Sequence, residues 1–196
     1  MKLNREFYRQ SALIVARELI GKKLICHTEE GTTGGIIIET EAYMGVDDAA
    51  SHSYQNRRTK RTEAMFSDGG HAYIYLIYGM YLCFNVSANL KDVPEAVLIR
   101  ALKPTEGIEL MQQRRNKQSL KDLCSGPGKL TQALGISMNH YNVDLCGDEL
   151  YIETTNLTPK IESTKRINID YAGEAADYLW RFVCSECYQQ PRPLPQ

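Results

Sequence analysis

Residues 72–86 read Ala-Tyr-Ile-Tyr-Leu-Ile-Tyr-Gly-Met-Tyr-Leu-Cys-Phe-Asn-Val, and this stretch narrows the possible folds more than any other. Aromatic and β-branched side chains fit a pleated surface and lose freedom in a helix. One glycine, Gly79, interrupts the run where a chain reversal would need positive φ. The segment predicts a β-hairpin with its tip at Tyr78-Gly79-Met80. With Gly79 at the turn, Asn85 falls opposite Tyr73 and near Tyr75.

Other elements follow from the same signals. Ser11 is placed to cap a helix carrying Leu13, Ile14, Ala16, Leu19 and Ile20, stopped by Gly21. Lys23 to Cys26 and Gly35 to Tyr43 read as strands joined by a turn at Gly31-Thr-Thr-Gly34-Gly35. Ala96 to Leu102 is a strand closed by Pro104. Glu106 to Arg115 and Pro127 to Leu134 read as helices, the second with Ser125 as N-cap. Glu149 to Glu153, Arg166 to Ile169 and Trp180 to Cys184 read as further strands. Short connections between neighbouring strands favour antiparallel pairing. The expectation is an α+β fold: a single domain on a curved, mostly antiparallel β-sheet with flanking helices and a protruding β-hairpin. That domain is placed at 1–188, followed by a flexible Pro-rich tail at 189–196.

The 196 residues hold no run of about 18 apolar residues, so a transmembrane helix is not expected. The opening Met-Lys-Leu-Asn-Arg-Glu lacks an apolar core of the secretory type, which predicts a cytoplasmic chain. Six scattered cysteines in such a chain read as free thiols. Cys184-Ser-Glu-Cys187 has metal-like spacing but no second pair, so no metal and no cofactor is expected. A net charge of −1 excludes a wholly basic nucleic-acid binder and leaves room for a local basic patch. Twelve tyrosines against four phenylalanines point to rings working at a wet surface.

Several residues could carry chemistry. By simple alternation, Ile37, Glu39, Glu41 and Tyr43 share one strand face. Glu39 alone fits the solvated face of an edge strand. Glu41 beside Tyr43, entering a long polar loop with His52, reads as a site. That loop, Gly45 to Asp68, turns basic at Arg57, Arg58, Lys60 and Arg61, which suits a phosphate backbone and equally a solvated charge run. Tyr75 offers a stacking ring, and Tyr78 at the tip has little core to enter. Arg100, inside an apolar strand, calls for a carboxylate or an anionic ligand. Ser125-Gly-Pro-Gly-Lys129 opens a helix with free N–H groups but lacks Walker spacing. Together these make a pocket for a flipped base: a basic rim, stacking tyrosines and a tip residue to fill the duplex.

The chain resembles the alkyladenine (3-methyladenine) DNA glycosylase family of base-excision repair, from about Leu19 to about Val183. The likeness rests on Glu39-Thr-Glu-Ala-Tyr-Met-Gly45 with Ala50-Ser-His-Ser53, and on Tyr73-Ile-Tyr-Leu-Ile-Tyr-Gly-Met-Tyr81 with Asn85. Val97-Leu-Ile-Arg-Ala-Leu-Lys-Pro-Thr-Glu-Gly107, Leu123-Cys-Ser-Gly-Pro-Gly-Lys-Leu130 and Ala172-Gly-Glu174 follow in order. The resemblance implies a monofunctional, cofactor-free enzyme that flips 3-methyladenine, 7-methylguanine or hypoxanthine from double-stranded DNA and hydrolyses the N-glycosidic bond. It implies Glu41 as general base and Arg100 as positioner of water and phosphate. Tyr43 and His52 would line one side of the base, Tyr75 the other, and Asn85 would screen out guanine's amino group. Tyr78 would intercalate with Met80 beside it, and Arg57, Arg58, Lys60, Arg61 and Lys129 would meet the backbone. The enzyme is expected as a monomer in the cytoplasm, at the nucleoid of a bacterium or in the nucleus of a eukaryote.

Three rivals are set against this. A single-stranded nucleic-acid module explains the tyrosines but not Glu41. A carbohydrate hydrolase using Glu39 and Glu41 leaves the hairpin tip without purpose. A zinc deaminase fails because Ser53 and Tyr54 follow His52, and Val183 precedes Cys184.

Overall fold

A computed structural model describes residues 1–184 together with Glu186. The expected tail and Cys187 lie outside the described residues. Two N-terminal helices, α1 (Arg5–Tyr8) and α2 (Ala12–Leu19), lead into strands β1 (Lys23–Thr28) and β2 (Gly31–Tyr43). A long loop follows, then β3 (Ala72–Ile77), β4 (Tyr81–Ala88) and β5 (Glu95–Glu106). Helices α3 (Ile108–Arg115), α4 (Leu120–Leu123) and α5 (Pro127–Leu134) come next. Strands β6 (Leu150–Glu153), β7 (Glu162–Thr164) and β8 (Arg181–Val183) complete the chain. The sheet runs β3-β4-β5-β2-β1-β6, every pairing antiparallel, and β8 joins β2 and β7 at the side.

The hairpin has the expected register, with Tyr73 opposite Asn85, Tyr75 opposite Cys83 and Ile77 opposite Tyr81. At its tip Tyr78 and Gly79 have φ of 52° and 71°, and the Met80 N–H donates to the Ile77 carbonyl. This is the hairpin-favouring turn with two left-handed central residues, a place suited to Asn or Gly and strained for a bulky ring.

Alternation along the central strands divides the sheet. Ile74, Phe84, Val86, Val97 and Ile99 point into one large core, closed by Val15, Ala16 and Leu19 of α2 and by Leu130, Ala133 and Leu134 of α5. The intervening Tyr73, Tyr75, Cys83, Asn85, Leu98 and Arg100 emerge on the opposite face and line a cavity there.

Several expectations are corrected. Gly34 and Gly35 belong to β2 rather than to a turn. A Cβ on Gly34 would come within 2.9 Å of the Leu24 carbonyl oxygen, and one on Gly35 within 2.7 Å of that of Lys103. Close strand approach, not chain reversal, demands glycine there. The reversal falls at Glu29 and Glu30 instead. β5 runs on through Pro104, opposite Gly35, where the register slips. A further bulge around Glu39 breaks the simple alternation of β2. Ile37 joins the core with Ala42, whereas Ile38 packs with Ile36 and Ala101 on the other side. Ile37 therefore does not share a face with Glu41 and Tyr43. β2 is also no edge strand, since β5 flanks it on one side and β1 then β8 on the other.

Ser11 makes no side-chain cap; the Ala12 N–H donates instead to buried Glu95, at 2.6 Å. Gly126, not Ser125, stands at the N-cap of α5. Residues 166–169 form no strand, because Arg166 turns inward to a buried acid. Cys26, Cys83, Cys124 and Cys146 are free, but Cys184 is disulfide-bonded, which corrects the expectation of thiols throughout. Among the described residues no helix is long and apolar enough to cross a membrane, and no group of metal-ligating side chains occurs.

Candidate active site

The face opposite the helices carries a cavity of about 410 Å³. Five residues singled out in the sequence, Tyr43, His52, Tyr75, Asn85 and Arg100, line it together, and Arg61 and Tyr78 stand at it as well. β2 delivers Tyr43, the hairpin Tyr75 and Asn85, β5 Arg100, and the long loop His52.

The aromatic wall is held by its own contacts. His52 Nδ1 lies 2.7 Å from the Tyr73 hydroxyl, and the His52 ring meets Tyr75 edge-on at 4.7 Å. Burial, aided by the charges of Arg61 and Arg57, pulls the His52 pKa down to about 4, so the imidazole is neutral near pH 7. Asn85 donates its amide N–H to the Tyr73 carbonyl at 3.1 Å, which fixes it at the cavity floor.

Glu41 does not line the cavity. It is fully buried one residue behind the wall, and its three partners form that wall. One carboxylate oxygen accepts from the Tyr43 hydroxyl at 2.8 Å and from Arg100 Nη1 at 3.3 Å. The other accepts from the Ile167 N–H at 2.8 Å. Burial raises the Glu41 pKa, and Arg100, Ile167 and Tyr43 only partly offset it. Burial and the neighbouring Glu41 charge raise Tyr43 far above its ordinary range, so its hydroxyl stays a donor. A carboxylate moved toward neutrality, joined by donors to a cavity, is the arrangement a general base requires.

Arg100 also donates to Glu39 at 2.9 Å, and Arg181 of β8 reaches the same oxygen at 2.7 Å. Glu39, expected on a solvated face, is thus a nearly buried member of this network.

A second ion pair supports the wall. Asp48 and Arg166 are wholly buried and meet through two hydrogen bonds of 2.5 and 2.9 Å. Arg166 donates further to the carbonyls of Ala42 and Ala175, and its guanidinium lies 4.9 Å from the ring centres of Tyr43 and Trp180. Asp48 also accepts from the Met44 and Ala50 N–H groups. Three chain segments are tied here, including the one that brings Ile167 to Glu41. Arg166, Asp48, Ile167 and Arg181 were not legible as site residues.

The basic candidates divide. Arg57 lines a neighbouring cavity of about 370 Å³ that Arg61 shares. Arg58 is occupied by Glu63 and Asp92. Lys60 is exposed. Lys129 Nζ donates to Ser125 Oγ beside Pro127 and Gly128 at the cavity's edge. At the tip Tyr78 is 76% exposed and Met80 67%; Met80 is not part of the cavity wall.

The family model for methylpurine-DNA glycosylases matches residues 6–188. A Clostridium acetobutylicum protein assigned as a 3-methyladenine DNA glycosylase is 50% identical over 191 residues, 93% of each chain. A Bacillus subtilis protein with the same assignment is 49% identical over 176 residues, covering 90% of this chain and 89% of its own. One from Desulfitobacterium hafniense is 47% identical over 194 residues, covering 94% and 96%.

Proposed function

Since the chain belongs to the methylpurine-DNA glycosylase family, we propose that it removes 3-methyladenine, 7-methylguanine and hypoxanthine from duplex DNA. The base is flipped into the aromatic cavity, and its N-glycosidic bond is hydrolysed there. The observation that carries this reading is a buried carboxylate, Glu41, raised in pKa and bonded to two residues of a cavity wall lined with aromatic side chains.

In the proposed reaction the oxygen of a water molecule bonds to the anomeric carbon, and its proton passes to Glu41. The carbon–nitrogen bond breaks and its electron pair leaves on the base. Free base and an abasic site are the products, with no metal or cofactor involved. Arg100 is held between Glu39 and Glu41 by the shorter bond to Glu39. Its looser contact with Glu41 is the natural place for a water to enter.

Tyr43 would bound the base on one side; His52, expected beside Tyr43, touches Tyr75 at 4.7 Å instead, so these two rings share the other side. Alkylated purines carry positive charge, which ring faces attract and which makes them good leaving groups. Neutral hypoxanthine lacks both advantages. Asn85 fills the floor where the exocyclic amino group of guanine would need space. Tyr78, exposed and strained, would enter the duplex through the minor groove and occupy the vacated stack, with Met80 beside it. Arg57, Lys60 and Lys129 would meet phosphates. Arg58 has less to offer, because Glu63 and Asp92 already hold it. One pocket serves one duplex, so the proposed working unit is a monomer.

The test uses duplexes bearing one hypoxanthine, 3-methyladenine or 7-methylguanine, with alkali cleavage of the abasic product as readout. Release of at least one of these bases, with an intact strand before alkali, is expected. Tight binding without release from any duplex would favour a binding module instead.

A further inference from the structure

Arg61 does not rest where a residue bound for the DNA backbone would be expected. Its guanidinium carbon lies 5.1 Å from the centre of the Tyr75 ring. It also bears on the Tyr73 hydroxyl, against the upward push of burial on that group, and it stands in the walls of both cavities. The ring expected to stack a flipped base therefore already carries a cation.

The surroundings leave that charge uncompensated. Arg100 faces the same cavity, but two carboxylates neutralise it. His52 is neutral near pH 7. Among the described residues no carboxylate pairs with Arg61. The guanidinium is thus the cavity's source of positive charge on the aromatic side.

We infer that Arg61 sets the choice between neutral and cationic bases, a role that rests on the glycosylase reading. An alkylated purine brings its own positive charge into the cavity. It competes with Arg61 for the face of Tyr75 and is repelled by it. A neutral purine such as hypoxanthine has no such charge. As its glycosidic bond breaks, the electron pair moves onto the base, and a guanidinium at the ring face stabilises the anion that develops. Arg61 supplies the charge that the neutral lesion lacks. It is an exposed side chain, so solvent limits the effect.

The experiment is single-turnover release from duplexes bearing 7-methylguanine or hypoxanthine, comparing wild type with Arg61→Met and Arg61→Lys. In Arg61→Met the rate ratio of 7-methylguanine to hypoxanthine rises roughly tenfold, the scale of a partly exposed cation–aromatic contact. Arg61→Lys retains the charge and stays nearer the wild-type ratio. An equal loss on both lesions, with a shallower salt dependence, would make Arg61 a phosphate contact and overturn the inference. If wild type releases neither base and no 3-methyladenine either, the glycosylase reading itself falls. Fluorescence titration with 7-methylguanosine, held cationic at mildly acid pH, and with inosine then decides. Arg61→Met should bind the cation better relative to inosine, and an unchanged preference would refute the role.

Discussion

Two buried arginine–carboxylate pairs support one wall of the cavity, and they are built differently. Asp48–Arg166 is closed: both residues are fully buried, two parallel hydrogen bonds join them, and Arg166 otherwise meets two main-chain carbonyls and the rings of Tyr43 and Trp180, its Nε left without a hydrogen-bond partner. Glu41–Arg100 is open: a single contact of 3.3 Å joins a buried acid to an arginine that faces the cavity and is shared with Glu39. A tightly joined pair with neither member in the cavity wall can hold segments together but does not meet a reacting molecule. A loosely joined pair has lone-pair and donor capacity to exchange. The difference marks the first as architecture and the second as the candidate chemistry.

The largest expected effect breaks the closed pair. Asp48→Ala leaves Arg166 charged, buried and unpaired, and should destabilise the fold by about 3–5 kcal/mol in urea denaturation. A loss under about 1 kcal/mol would show that the pair is not the tie described.

The open pair should respond through pH. With a permanently cationic base as substrate, the leaving group needs no proton, so the acid limb of the single-turnover rate reports Glu41. Its raised pKa places that limb above the ordinary carboxylate range of about 4.3. Arg100 favours the ionised acid, so Arg100→Met should move the limb further up. A limb that stays put would separate Arg100 from the ionisation of Glu41.

The hairpin tip gives a contrast in strain. Tyr78→Ser removes a bulky left-handed residue and a stacking ring together. Capture of the flipped base should weaken by about 1–3 kcal/mol, while the melting temperature should not fall. Unchanged duplex binding and an unchanged rate would take Tyr78 out of the mechanism.

The smallest effect concerns the basic loop. Arg57→Gln should lower the slope of log affinity against log salt by about 1. Arg58→Gln should leave it nearly unchanged, because Glu63 and Asp92 already hold that guanidinium. Equal slopes would mean that the ion pairs open on DNA.

What the sequence made legible follows from range. The hairpin register depends on residues within one segment, and Tyr73 does face Asn85. Arg100 announced a partner by standing in an apolar strand, and Glu41 is one of the two it meets. Convergence of Tyr43, His52, Tyr75 and Asn85 followed from the family resemblance rather than from periodicity. The closed pair joins residues 118 positions apart. No local pattern records that, so residues 166–169 read as a strand. The glycines of β2 show a turn composition, yet the neighbouring strands require them. Ile37 departs from simple alternation because a bulge resets the strand without altering its composition. The capping of α2 by Glu95, which displaces Ser11, likewise arises only in three dimensions.

The most direct measurement is single-turnover base release by Glu41→Gln beside wild type, on one lesion duplex, with DNA binding and melting followed in parallel. Glutamine keeps the shape and removes the base, so the variant should fold, bind the duplex and release the base about 10²–10⁴-fold more slowly. Release at the wild-type rate by Glu41→Gln would contradict the assignment of Glu41 to the chemistry.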